Sequence, residues 1–187
     1  MHKTAQAIAH HSPTQPIHRI VLTGFMGAGK TTVGALLGQR LAWRFVDTDE
    51  QIEAVSGATI AQLFAERGEP WFRQLEHDTI RQLLNSQSLV LALGGGAIED
   101  ERTRGLMLSS DGTQLIHLEA SLETILNRCR GTEFQRPILQ DKANLEARYL
   151  RRLPLYRQAH LTLAVDTFGP DAAVEAILDY LGISRRA

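Results

Sequence analysis

With 187 residues, 43% of them hydrophobic, the chain can build one well-buried core and is short for two, so a single domain is expected. Twenty Lys+Arg against twenty-one Asp+Glu leave a formal net charge of -1, which gives no basis for a nucleic-acid or membrane-surface role. One cysteine, Cys129, excludes an internal disulfide, and neither a signal peptide nor a membrane-spanning apolar run is evident; small-molecule partners and a cytoplasmic location are expected.

Residues 1–18 hold four of the seven histidines, two prolines and one formal charge, and are expected to be a disordered tail. His10-His11 has no Cys or carboxylate beside it, so only adventitious metal binding is expected there. The single folded domain then spans 19–187. Its first element is the short apolar strand Arg19 to Thr23, followed by Gly24-Phe25-Met26-Gly27-Ala28-Gly29-Lys30-Thr31-Thr32. That stretch fits the phosphate-loop pattern of Gly, four residues, Gly-Lys-Ser/Thr, and the helical composition of Val33 to Leu41 supplies the required strand–loop–helix context. Backbone N–H groups of Gly27, Ala28 and Gly29 through Thr32 suit phosphate oxygens, and the helix N-terminus adds partial positive charge. Lys30 would reach the β- and γ-phosphates of a nucleotide, and the Thr31 hydroxyl would ligate its Mg²⁺.

A second strand, 43–46, ends at Asp47-Thr48-Asp49. At the C-terminal edge of a parallel sheet both carboxylates would share the crevice with the phosphate loop, pointing the same way if the strand continues; alternatively, Asp49 caps a helix beginning at Glu50. Helices are expected over Thr59 to Gly68 and Glu69 to Asn85, the latter with Pro70 in its tolerated first turn. Arg73 and Glu76 are three apart and close on that surface, where a solvated ion pair is one outcome. The run 88–93 reads as a central strand buried on both faces and ends in Gly94-Gly95-Gly96, where other phosphate-loop proteins carry a metal-binding acid; Asp47 is then the candidate for that duty.

A helix over Asp100 to Ser109, a strand over 114–118 and a Ser121-capped helix reaching Arg130 follow. His117 and Cys129 are expected to be packed side chains. Gly131 to Lys142 lacks periodicity and carries Arg136-Pro137, which suggests a mobile cover. The helix from Ala143 to about Gln158 bears Arg148, Arg151, Arg152 and Arg157, a run expected on a solvated face, and Pro154 should kink or interrupt it. A fifth strand, 161–165, and a helix from Asp171 to Leu181 stopped by Gly182 complete an α/β pattern with a parallel sheet covered on both sides.

On these motifs the chain resembles the shikimate kinases, small phosphate-loop enzymes related in fold to the nucleoside monophosphate kinases, over about residues 19 to 182. The resemblance rests on Gly24 to Thr31, Asp47-Thr48-Asp49, Gly68-Glu69 with Phe72-Arg73 and Glu76, Gly94-Gly95-Gly96, Arg136-Pro137-Ile138-Leu139 and Arg152-Leu153-Pro154-Leu155-Tyr156. It implies a P-loop kinase fold: a five-stranded parallel sheet of order 2-3-1-4-5, counting the five strands above, with substrate-binding helices at about 49–85 and a lid at about 131–142. It further implies a monomer using ATP and Mg²⁺ to phosphorylate the 3-hydroxyl of shikimate. By the same resemblance Asp49, Phe64, Phe72, Arg73, Gly95, Gly96 and Arg152 would bind shikimate, with Glu76 orienting Arg73. Lys30 and Arg136 would touch the transferring phosphoryl, with Lys30, Asp49 and Arg136 the catalytic set. Thr31 and Asp47 would serve Mg²⁺, and Arg130 would lie near the adenine. The chemistry is consistent, since guanidiniums suit a carboxylate and Asp49 suits adjacent hydroxyls. A gluconate-type kinase would share the loop and sheet but not Arg73 with Arg152 and the triple glycine. A nucleotide-binding module without chemistry would need neither a candidate base nor a lid arginine.

Overall fold

The computed structural model describes residues 7–9, 15–130, 142–167 and 169–183. The elements are β1 (Ala7–Ala9), β2 (Arg19–Thr23), α1 (Lys30–Leu41), β3 (Arg44–Asp47), α2 (Thr48–Ser56), α3 (Ile60–Arg67), α4 (Glu69–Leu83) and β4 (Leu89–Ala92). A 3₁₀ turn (Ala97–Glu99) leads into α5 (Glu101–Ser109), β5 (Thr113–Glu119), α6 (Leu122–Arg128), α7 (Lys142–Tyr156), β6 (Leu161–Ala164) and α8 (Pro170–Tyr180). None of the helices among the described residues is long and apolar enough to cross a membrane.

The sheet runs β1-β6-β5-β2-β4-β3. Its five parallel strands stand in the expected order, with β2 in the middle between β4 and β5. The sixth strand corrects the expectation of five: Ala7–Ala9, within the stretch expected to be a tail, pairs antiparallel with Leu161–Leu163 on β6. All three of its residues are exposed, Ile8 among them, so it is attached by backbone hydrogen bonds and buries almost no apolar surface. Three residues without a buried face leave no alternation to detect.

Central strands are apolar because both of their faces are covered. Ile20 to Leu22 and Leu89 to Ala92 are wholly inaccessible to solvent, and Leu115, Ile116 and Leu118 join them in the main core. A second, small apolar cluster of Ile52, Leu63 and Phe72, with Ile60, Phe64 and Leu75 against it, binds α2, α3 and α4 into one unit. Local signals set the boundaries of these helices. Thr59 and Gln62 form a reciprocal capping box at α3, and Gly68 closes that helix and opens α4. Pro154 lies inside α7, which continues to Tyr156 rather than breaking at the proline. Truncating a central contact tests the main core: Leu91→Ala should cost about 2–5 kcal/mol, read as a lower urea midpoint with an unchanged slope.

Candidate active site

The loop after β2, the start of α2 after β3 and the three glycines after β4 meet at the C-terminal edge of the sheet, around a cleft of about 730 Å³. Gly27, Gly29, Lys30, Thr31 and Thr32 form its floor at the N-terminus of α1. Gly29 holds φ at 98°, a left-handed conformation that a side chain would strain, and Ala28 is buried beneath the loop. The Lys30 ammonium donates to the carbonyls of Gly24 and Phe25 at 2.9 and 3.1 Å, which folds the side chain back over the loop.

Asp47 and Asp49 differ from the sequence expectation in a specific way. The strand ends at Asp47, whose carboxylate caps α2 by accepting from the Asp49 N–H at 3.1 Å. Asp47 Oδ2 also accepts from the Thr31 hydroxyl at 2.8 Å. The cap is therefore Asp47, and Asp49 sits in the first helical turn rather than on a continuing strand. Between them Thr48, fully buried, donates to the Ala92 carbonyl at 3.2 Å and accepts from the Gly94 N–H at 2.9 Å, fastening α2 to the glycine turn. Burial, then the neighbouring Asp47 charge, raise the Asp49 carboxyl above its ordinary range, while Lys30 and Arg73 pull it back.

Phe64, Phe72, Arg73 and Glu76 come into the cleft from α3 and α4. The two rings lie 4.5 Å apart, and the Arg73 guanidinium stands 5.8 and 5.5 Å from their centres. Arg73 and Glu76 are not a solvated pair: Glu76 is 2% exposed and lies 2.7 Å from Arg73 Nη1. Burial pushes the Glu76 carboxyl up to about 7 against the attraction of Arg73, with Asp49 and Asp100 adding to the rise.

Adjacent glycines admit the charged groups. A Cβ at Gly94 would overlap Asp49 Oδ1, and one at Gly96 would overlap the Arg73 guanidinium, whereas at Gly95 it would stand 3.7 Å from Arg152 Nη1. Arg152, 5% exposed, arrives from α7. His117 packs away from this chemistry, stacked on Tyr156 at 5.1 Å, and burial lowers its pKa to about 4.

Arg130 is exposed and does not line the cleft, whereas Arg128 does. Arg128 Nη2 donates to the Val165 carbonyl at 2.7 Å, with Nη1 3.4 Å from the Ala28 carbonyl. Two arginines flanking the buried Cys129 are equivalent in composition, and only the end of α6 at Arg128 decides which faces the loop. Arg148 was also missed, since a run of arginines on one helix conceals the member that turns inward. Arg136, and nearly all of the stretch expected to form a lid, lie outside the described residues. A second groove of about 780 Å³, lined by Val55, Trp71 and Gln82 among others, shares no residue with the first.

A glycine-rich loop ending in Lys30, beside carboxylates and arginines at the edge of a parallel sheet, defines a phosphate-loop small-molecule kinase. The family model described as "Shikimate kinase" matches residues 26–182. The shikimate kinase of Persephonella marina is 38% identical over 163 residues, covering 87% of this chain and 98% of that one. Among solved structures, the shikimate kinase of Acinetobacter baumannii in complex with shikimate superposes with a TM-score of 0.77 at 35% identity, covering 89% of this chain and 94% of that one. A gluconokinase from Sinorhizobium meliloti has a TM-score of 0.54 at 20% identity, covering 90% and 94%, a likeness of fold alone. The chain belongs to the shikimate kinase family. Its activity is ATP-dependent phosphorylation of shikimate, a step of aromatic amino-acid biosynthesis.

The raised Glu76 carboxyl has a signed consequence for stability. Between about pH 4.5 and 7 the unfolded chain loses this proton while the folded chain keeps it, so the Glu76 contribution falls as pH rises through that window and is level above it. Burial holds the His117 imidazole at about 4, so its share rises with pH between about 4 and 6.5, against that of Glu76, and the two are separated by mutation: between pH 5 and pH 8 the urea midpoint of Glu76→Gln should move upward relative to the change seen in the native protein.

Proposed function

We propose that the cleft holds shikimate with its carboxylate between Arg73 and Arg152 and its ring against Phe64 and Phe72, beside the glycine backbone of Gly95 and Gly96. The observation that carries this reading is the meeting of two guanidiniums from distant helices at neighbouring glycines, one step from Asp49 and the Lys30 loop. Planar guanidiniums suit a carboxylate, and the acceptor-only Asp49 suits hydroxyls.

ATP lies on the loop with its phosphates toward Lys30 and the N–H groups of Gly27 to Thr32, and its adenine toward α6, where Arg128 is the better-supported neighbour than Arg130. The shikimate 3-hydroxyl oxygen bonds to the γ-phosphorus as the bond to ADP breaks. Asp49 takes the hydroxyl proton, a role that its raised pKa supports. Lys30 offsets charge on the transferring phosphoryl, joined by Arg136 from a lid over 131–142. Thr31 and Asp47 offer oxygen donors 2.8 Å apart, a set that suits Mg²⁺. No cluster of three metal-ligating side chains occurs among the described residues, so phosphate and water would complete such a shell. The ion, when bound, neutralises phosphate charge. The setting proposed is a cytoplasmic monomer; the near-zero net charge supports only the absence of nucleic-acid and membrane-surface partners.

A coupled ADP-release assay with shikimate, quinate and gluconate at equal concentration tests the substrate. Release should depend on shikimate; an equal rate with gluconate, or with no acceptor, would overturn the reading. Gly96→Ala tests the pocket itself. Backbone φ at Gly96 is -96°, which alanine adopts freely, so the added methyl strains no backbone; it displaces the Arg73 guanidinium and, by loosening its pair with buried Glu76, should lower the melting temperature without unfolding the protein at assay temperature. KM for shikimate should rise roughly 10-fold or more, with KM for Mg-ATP little changed, as expected when a charge-assisted contact is lost.

A further inference from the structure

A guanidinium as sheltered as that of Arg152 needs a counter-charge, and Glu99 provides it. Glu99 is the last residue of the 3₁₀ turn that follows the three glycines. Arg152 Nε donates to Glu99 Oε2 at 2.8 Å, and Nη2 lies 2.6 Å from the same oxygen. The other oxygen, Oε1, accepts from Arg151 Nε at 2.9 Å and lies 2.8 Å from Arg151 Nη2. Both carboxylate oxygens are thus committed to neighbouring arginines of α7.

The direction of this grip matters. Arg152 lines the cleft and Glu99 does not. Nη1, which takes no part in the grip, is the Arg152 nitrogen closest to the Gly95 Cβ position, at 3.7 Å. Glu99 therefore holds Arg152 through Nε and Nη2 from outside the cleft and leaves Nη1 turned toward it. The same junction is fastened by the Tyr156 hydroxyl, which donates to the Gly95 carbonyl at 2.5 Å, and the Arg152 guanidinium carbon lies 5.8 Å from the centre of the Phe25 ring.

We propose that Glu99 is a positioning residue for substrate binding: by fixing the plane and direction of the Arg152 guanidinium, it prepares the nitrogen edge that receives the substrate carboxylate. This rests on the reading that Arg152 contacts that carboxylate. One effect opposes it, because a negative charge one guanidinium away repels an incoming anion. The charge of Glu99 is already shared between two arginines, so its field in the cleft is small, whereas a free arginine has several rotatable bonds to immobilise. Orientation outweighs repulsion.

The test is a mutant cycle with steady-state kinetics on the full chain. Glu99→Gln keeps the shape and removes the charge; it should raise KM for shikimate about tenfold, within the range of coupling in one hydrogen-bonded network, with kcat and KM for Mg-ATP changed less than about twofold. Arg152→Lys should also raise KM for shikimate, and adding Glu99→Gln to it should cause no further rise, because Glu99 acts only through Arg152. Arg151→Gln, which alters an exposed side chain and frees only Oε1, should shift KM in the same direction by a smaller factor, and it supplies the test should Glu99→Gln not fold. An unchanged or lowered KM in Glu99→Gln, with Arg152→Lys still impaired, would make Glu99 a counter-ion only: the inference falls and the carboxylate reading stands. A full additional rise in the double variant would show a general structural role and overturn the inference as well. Normal KM for shikimate in Arg152→Lys would overturn the carboxylate reading and the inference together.

Discussion

Parallel pairing of β2 with β4 and β5 decides where every charged group of the cleft can stand. In a parallel sheet all strands end at the same edge, so the loops after β2, β3 and β4 converge without any further device. The register is secured at the opposite edge by one residue. Arg19 donates through Nε to Thr113 Oγ1 at 2.9 Å and through Nη1 to the Leu84 carbonyl at 2.7 Å, while Nη2 bonds the Asp111 carbonyl. It thereby joins the start of β2 to the start of β5 and to the turn that precedes β4. A charged residue at the first position of a buried strand thus has a structural purpose at the edge far from the site.

Convergence brings like and unlike charges close, and absent side chains make room for them. Gly94 and Gly96 occupy space that a methyl group would deny to Asp49 and Arg73, so the glycine run is a packing requirement as much as a flexible turn. Thr48 completes the junction by joining the backbone on both sides of the end of β4. The α2–α3–α4 unit has its own small apolar cluster, so its acidic and basic side chains are carried on a body whose packing is partly separate from the sheet.

Elements with strong local signals were legible from residue order alone: the apolar runs of β2 and β4, the helix beginning at Thr59 and the glycine-rich loop. Residues of the site were legible where a motif fixes spacing, as for Lys30, Thr31 and Arg73. The rest depended on context that a linear string does not hold. Asp47 and Asp49 are chemically alike, and only the hydrogen bond closing the first turn of α2 shows that the former caps it. Arg128 and Arg130 are likewise distinguished only by where α6 ends. Burial separates Arg152 from its neighbour Arg151, because consecutive helix positions face about 100° apart and only one can turn inward. Glu99 has no motif of its own, and its significance exists only through a partner 53 positions away.

Buried Arg152 and partly buried Arg73 are each matched by a glutamate, but the pairs differ in electrostatic character. Glu76 faces one guanidinium in a dry setting with Asp49 nearby, and burial prevails, which puts its titration close to neutral pH. At Glu99 burial also opposes ionisation, yet hydrogen bonds and charge from Arg152 and then Arg151 outweigh it and hold the carboxyl below its ordinary range. Protonating Glu76 would release Arg73 from its principal charge partner, whereas Glu99 stays ionised throughout the physiological range and keeps Arg152 fixed. The pair proposed to bind the carboxylate therefore combines one arginine whose surroundings respond to pH with one whose surroundings do not. A substrate carboxylate would meet a constant anchor on α7 and a variable one on α4, the helix that also contributes to the smaller and more separable of the two cores.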